Sequence, residues 1–384
     1  MSKNEILTYI WGTGRYGERI MHYCKRFGMD IAGLIDSNEM LWNTEKLGLT
    51  IYSPKEILQK PDIQIFIALV KKEAVKEISE ICNKAKVKII DFQELKFQFI
   101  SAAAPNLDFF TPNKFKEPLS CTSQLCNQYF WNLPLYQYWC EKLKQKPRMH
   151  RKQWEWVYVA QVLFENGFLK PGSKGLCFAA GQEPLPALFA SLDCKITATD
   201  LDINTETAKK WAADGQNAEN DIKNLNKDGI CPDGLFEKNV QFCCADMNNI
   251  SDDFNGFDFN WSCCAFEHLG GIKQGLDFLV NNLKTLENGG IAVHTSEFNL
   301  TSDEDTFESE GLSIFRKRDY MRIADKLEQM GHYVYPMDFR TGNEFLDNFV
   351  DIWPYSQDFH LRLNIHDFVS TSFGIIVRKN SKKF

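Results

Sequence analysis

Short apolar runs, each followed by small or acidic residues and then by apolar positions three and four apart, recur along this chain. That alternation of strand-type and helix-type periodicity predicts α/β architecture with parallel sheets. Ile6 to Trp11 reads as a first strand, a helix continues through Arg19, Ile20, Tyr23 and Phe27, and Ile31 to Ile35 forms a second strand ending at Asp36. Thr50 to Tyr52, Gln64 to Leu69 and Val87 to Ile90 add short strands. Ala102 to Pro105 and Thr111 to Asn113 break the pattern and read as a linker, and an aromatic-rich stretch follows from Ser120 to Pro147. A helix over Gln153 to Phe168 then opens a second series. Its strands are Leu176 to Phe178, Ile196 to Thr199, Val240 to Met247, Phe257 to Cys264 and Ile291 to Thr295. Leu276, Leu279, Val280 and Leu283 mark a helix before the last of these, with Glu287 to Gly290 as its stop. A helix over Tyr320 to Met330 and strands at Tyr333 to Tyr335 and Phe373 to Val377 complete the pattern, with Asn343 to His366 as an insertion.

The chemistry lies at the strand-to-helix turns. Gly12-x-Gly14-x-x-Gly17 follows the first strand directly, and Asp36 ends the next one. Glycines there let backbone approach a pyrophosphate, and the acid can meet a ribose, so a bound NAD used for chemistry, a nucleotide or nucleotide-sugar ligand, and a scaffold are the readings of residues 1–100. The second series repeats the layout: Ala179, Ala180 and Gly181 make a small-residue turn, Pro184 suits the start of a helix, and Asp200 closes the next strand.

The stretch from Lys174 to Asp202 resembles the first motif of class I S-adenosylmethionine (SAM) dependent methyltransferases, acid-x-Gly-x-Gly-x-Gly. It departs from that motif at Cys177, Ala179 and Glu183 and keeps Gly181. The order strand, Glu267-His268, helix, Gly289-Gly290, strand resembles the region that follows the motif in that family. The resemblance implies two Rossmann-like domains, the carboxyl-terminal one a seven-stranded sheet with flanking helices whose last strand is antiparallel. It implies S-adenosylmethionine as cofactor, contacted by Ala179, Gly181, Glu183, Asp200, Leu201, Asp246, Met247 and Cys263. Runs such as His150 to Trp156, Gly181 to Ala190, Phe266 to Gly270 and His294 to Leu300 are similar to bacterial methyltransferases of glycan or sugar modification. The first domain, with its glycines, Asp36-Ser37-Asn38 and Ile51 to Pro54, resembles those appended to sugar acyltransferases and sugar C-methyltransferases.

The expected organisation is therefore a small Rossmann-like domain over 1–100, a linker and aromatic-rich helical cap over 101–148, and a methyltransferase domain over 149–384. The expected reaction is O-methylation of a sugar or nucleotide-sugar acceptor. A non-sugar small molecule, or a SAM-binding scaffold or sensor without catalysis, is the alternative. An alcohol acceptor has a proton to lose, so His268 is the expected base, with Glu267 or Glu297 orienting it or binding the acceptor. His268 as a helix-capping or core histidine is the plainer alternative. Glu297 and His360 with a nearby acid have donors that suit a divalent ion, but local spacing does not demand one and no metal is expected. Arg362, in the insertion, could pair a phosphate or carboxylate.

Composition narrows this further. A net charge of −7 and a pI near 5.6, with no basic aromatic stripe, argue against nucleic acid as partner. The twelve cysteines are scattered, several inside apolar strands, without CxxC spacing, so reduced thiols in a cytoplasmic protein are expected. No leader and no membrane insertion are expected. Self-association as a homo-oligomer stays open.

Overall fold

The computed structural model describes residues 6–26, 29–69, 71–90, 121–205, 222–353, 355–356 and 359–380. The linker at Ala102 to Asn113, Phe27 and the Lys-rich tail lie outside them. The chain divides into two compact units, one of residues 1–105 with 352–355 and one of 106–351 with 356–384.

In the first unit β1 (Leu7–Trp11), β2 (Gly33–Ile35), β3 (Glu45–Lys46), β4 (Leu49–Tyr52), β5 (Ile63–Ile67) and β6 (Lys88–Ile90) form one sheet in the order β3-β4-β2-β1-β5-β6. All pairs are parallel except β3 with β4. Alternate side chains leave opposite faces, so Ile10, Leu34 and Phe66 pack in one core and Tyr9, Trp11, Ile35 and Ile65 in another. Burial on both faces is why β1, β2 and β5 are mostly apolar.

The second unit holds β7 (Ser123–Leu125), β8 (Lys174–Cys177), β9 (Lys195–Asp200), β10 (Val240–Cys244), β11 (Phe257–Cys263), β12 (Leu286–Asn299), β13 (Tyr333–Val334), β14 (Met337–Asp338), β15 (Val350–Asp351), β16 (Arg362–Ile365) and β17 (Phe368–Arg378). Their sheet runs β10-β9-β8-β11-β12-β17-β16-β15, with β13 and β7 also on β17 and β14 on β7. β10 through β12 are parallel, and β17 runs antiparallel to β12 from Ile291↔Arg378 to Asn299↔Ser370. The seven strands expected are thus present, with the last reversed, and four short strands extend the sheet. β12 is longer than expected: Glu287 to Gly290, read as a helix stop, already belongs to it, and its pairing with β11 is irregular there.

The chain visits β8, β9 and β10 towards one edge, then crosses back to β11 and β12 on the other side of β8. This puts a topological switch point between β8 and β11, where doubly wound sheets open a crevice beyond the carboxyl ends of the strands. The helix Arg151–Glu165 covers β11, β12 and β17. Its Tyr158 ring lies so close to Gly374 that a methyl group there would sit 2.0 Å from the ring, so β17 needs glycine at this position. In the stretch 120–147 Phe130, Tyr136 and Trp139 are buried and Tyr138 is exposed, so most of these aromatics pack as core.

Candidate functional site

The turn after β8 is tied to its neighbours through backbone. Phe178 N donates to Trp261 O at 2.9 Å and Ala180 N to Thr199 O at 2.8 Å. Ala179 and Gly181 have φ of +50° and +51°, a left-handed conformation that an alanine adopts only at a cost. Gly181 N donates to Asp200 Oδ2 at 3.0 Å, and Leu201 N to Asp200 Oδ1 at 2.9 Å, which orients the carboxylate at the end of β9. Ala245 N donates to Asp200 O at 2.9 Å, placing Asp246 one strand further along. Asp246 is exposed, accepting Asn248 N at 2.8 Å, and Met247 beside it is buried. Gly181, Asp200 and Asp246 therefore stand at the ends of three adjacent strands.

Glu183 turns inward across the switch point. Its Oε1 accepts the Trp261 indole N–H at 2.6 Å and the Cys177 thiol at 3.1 Å, and burial pushes its carboxyl up to about 7. Its hydrogen bonds thus clamp β8 to β11. The Cys263 thiol, also placed at the crevice, is raised by burial and by Glu183 beside it.

Beyond β11 and β12 lies a buried polar network in which Glu297 is the one member among the sequence candidates. Arg151 and Glu155 lie one helical turn apart, 7% and 0% exposed. Arg151 reaches Glu155 Oε1 at 3.3 Å, Ser372 Oγ at 3.0 Å and, with its other terminal nitrogen, Glu297 Oε1. Ser370 Oγ donates to Glu297 Oε2 at 2.5 Å. Glu155 accepts Thr295 Oγ1 at 2.9 Å, Ser372 Oγ at 2.6 Å and the Cys264 thiol at 3.0 Å. Lys152, at 3.7 Å, and Arg151 hold the Glu155 carboxyl below its usual range, although burial opposes them. Cys264 has φ +45°, fixed by its N–H on Thr295 O at 2.9 Å. The signal that could have found this network is Glu155 set between Trp154 and Trp156, with Arg151 one helical turn before it.

Glu267, in the short turn Phe266–His268, is 0% exposed, and among the described residues no other residue hydrogen-bonds to its carboxyl oxygens. Burial pushes it up to about 8. Cys264, Glu267 and Glu297 each offer a ligand atom within 4.8 Å of the others. His268 Nδ1 sits 2.6 Å from Gly311 O. A carbonyl only accepts, so Nδ1 carries the proton and the lone pair is on Nε2. Burial lowers its pKa, keeping the ring neutral. His294 lies inside β12, with Nδ1 2.8 Å from Ser262 Oγ and its ring against Phe278; burial takes it down to about 3, and it is a core histidine.

In the insertion, His360 Nδ1 is 2.6 Å from Asp351 Oδ2, outside the Cys264–Glu267–Glu297 group. Arg362 is fully buried and donates to Cys126 O, Thr371 Oγ1, Asn127 Oδ1 and Thr341 O. Its two terminal nitrogens are held by these groups and by the Asp347 carboxylate at 3.5 Å, so the carboxylate it pairs belongs to the fold itself.

In the first unit Gly12 and Gly17 lack room for a side chain: a Cβ would meet Ala68 O at 2.5 Å and Gly12 O at 1.9 Å. Gly14 is exposed, with nothing within 4 Å of where its Cβ would be. The Asp36 carboxylate fastens the loop, accepting Thr13 N at 3.3 Å, the Thr13 hydroxyl, and Asn38 N at 2.9 Å.

No helix among the described residues is long and apolar enough to cross a membrane. The family described as CoA binding domain matches residues 4–91. No curated protein matches the chain in sequence. Among solved structures, the chain is similar to an S-adenosylmethionine-dependent methyltransferase from Clostridium acetobutylicum at 12% identity and TM-score 0.35, over 64% of this chain and 98% of that one. Magnesium protoporphyrin IX methyltransferase from Synechocystis, with bound SAH, gives 10% and 0.36, over 66% and 98%. The [4+2]-cyclase SpnF gives 14% and 0.39, over 68% and 98%. Likenesses this distant leave the chemistry to be argued from the residues.

Proposed function

We propose that the chain is an S-adenosylmethionine-dependent methyltransferase acting on a hydroxyl of a small-molecule acceptor, a sugar or glycan intermediate being the class its sequence resemblance favours. The observation that carries the reading is the Gly181 amide on the Asp200 carboxylate at the switch point, with Asp246 one strand away. The donor set fits an adenosyl group. A carboxylate at the end of β9 accepts from ribose hydroxyls, the exposed Asp246 accepts from an amino group, and apolar Met247 can flank a base. Bound there, S-adenosylmethionine supplies a methyl group already activated by its sulfonium.

The protein's own work is placement and proton removal. Holding acceptor and donor in near-attack geometry accounts for much of the rate of a displacement. His268, neutral and with its lone pair on Nε2, takes the acceptor proton. Glu267 and Glu297, beyond the ends of β11 and β12, bind the acceptor or orient it. The nucleotide role of Gly12, Gly14, Gly17 and Asp36 is a proposal of the same kind. It favours a phosphorylated ligand at the exposed Gly14, while the internal bonds of Asp36 favour a scaffold. Calorimetry with S-adenosylmethionine and S-adenosylhomocysteine tests the main reading: micromolar binding of either supports it, and absence of heat with both removes it. Binding without turnover on a panel of nucleotide sugars and other alcohols would point to a sensor.

A further inference from the structure

We infer that Cys264, Glu267 and Glu297 form a site for one divalent cation of the zinc class. Three independent observations converge on it. The first is position: a thiol and two carboxylates, all buried, present ligand atoms within 4.8 Å of one another. Zinc bonds to sulfur and carboxylate oxygen at about 2.0–2.3 Å, which sets ligands roughly 3.5 Å apart around the ion, so a contraction of about 1 Å completes the site.

The second is Glu267. Its carboxyl group is fully buried, and among the described residues no other residue hydrogen-bonds to either of its oxygens. Buried carboxyl groups are hydrogen-bonded, paired or metal-bound, because otherwise desolvation goes uncompensated. A cation between Glu267 and its two neighbours supplies the missing partner.

The third is charge. Arg151 and Lys152 already balance Glu155 and Glu297. Burial pushes the Cys264 thiol and the Glu267 carboxyl up, so both carry their protons in the free chain, and a divalent ion that displaces those two protons leaves the network's net charge unchanged. Glu297 is also prepared for ligation: Arg151 and Ser370 each hold one of its oxygens, fixing its orientation while a second lone pair remains on each. A thiolate among the donors favours zinc over magnesium or calcium, which take oxygen ligands. Three protein ligands leave a fourth position of a tetrahedral ion open.

The cation is inferred from these residues alone and stands or falls apart from the methyl-transfer reading. The test uses the full-length chain with Cys243 and Cys244 changed to serine, because Cys244 is an exposed thiol that could bind metal adventitiously. After incubation with zinc and exhaustive dialysis, metal analysis is expected to give one zinc per chain. Glu267→Gln and Cys264→Ser are expected to weaken zinc binding at least tenfold. With cobalt(II) in place of zinc, a thiolate-to-metal charge-transfer band should appear and vanish in Cys264→Ser. Retention of stoichiometric zinc by both variants would overturn the inference, as would failure of the parent chain to bind either ion. Where a variant does not fold, the cobalt spectrum of the parent chain decides: absence of a thiolate band removes the site.

Discussion

The carboxyl group of Glu183 rests on the thiol of Cys177, Oε1 to Sγ 3.1 Å. These are two of the three positions at which the turn after β8 departs from the methyltransferase motif, and they touch. Where the motif has an acid in the strand, this chain has a thiol, and a carboxyl comes back to it from the turn. The carboxyl is thus supplied from further along the chain, beside the strand rather than within it.

That relocation has a pH signature. Glu183 is raised from 4.5 to about 7 by burial, so the folded protein holds its proton more tightly than the unfolded chain. The stabilisation is fully present below pH 4.5 and is lost as pH rises through about 7, beyond which the dependence is flat. A shift of this size corresponds to about 3 kcal/mol. Glu183→Gln keeps an oxygen for Trp261 and Cys177 but cannot ionise. Urea denaturation is expected to show it close to wild type at pH 4 and more stable at pH 8. Parallel curves for the two proteins across this range would contradict the assignment.

Asp200 offers a second prediction. Its carboxylate is the acceptor at the end of β9, and a hydrogen bond to a charged group is worth about 1.5–3 kcal/mol. Asp200→Ala is therefore expected to weaken S-adenosylmethionine binding roughly ten- to a hundredfold by calorimetry. Unchanged affinity would place the adenosyl group elsewhere.

The strands around the switch point were legible because Leu176 to Phe178 forms a compact apolar run and Phe257, Phe259 and Trp261 recur at every second position. Asp200 and Gly181 were legible because a turn that admits a ligand needs small residues and an acid at fixed places. β7 was not, since Ser123, Gln124 and Leu125 carry no strand periodicity and owe their strand to the edge of β17. The Arg151–Glu155 pair also went unread, because one helical turn of separation is the ordinary spacing of a surface pair. Only the fold buries it. Arg362 differs in the opposite sense: a cation in an insertion suggests an anion from outside, whereas the fold buries it against carbonyl oxygens, the Thr371 hydroxyl and the Asp347 carboxylate.

The buried network gives a third prediction. Removing Arg151 leaves Glu155 and Glu297 buried without their guanidinium, and breaking such a pair costs about 3–5 kcal/mol. Arg151→Met is expected to lower stability by that order in chemical denaturation. Adding Glu297→Gln removes one orphaned charge and should recover part of the loss. If the double variant is less stable than the single by the full cost of Glu297→Gln alone, the two residues are not coupled.

The last prediction concerns the proton. His268 donates from Nδ1 to the Gly311 carbonyl, so Nε2 is the basic nitrogen, and burial sets its pKa below the ordinary 6.5. A base works only when deprotonated, so kcat/KM on the true acceptor should rise with pH through a midpoint below 6.5 and level off by neutral pH. His268→Ala should lower kcat about 10²- to 10⁴-fold and abolish that acid limb, with S-adenosylmethionine affinity unchanged. A histidine that merely capped the turn would give a different pattern: loss of stability, turnover near wild type, and the acid limb intact. Full turnover by the alanine variant would remove the base assignment.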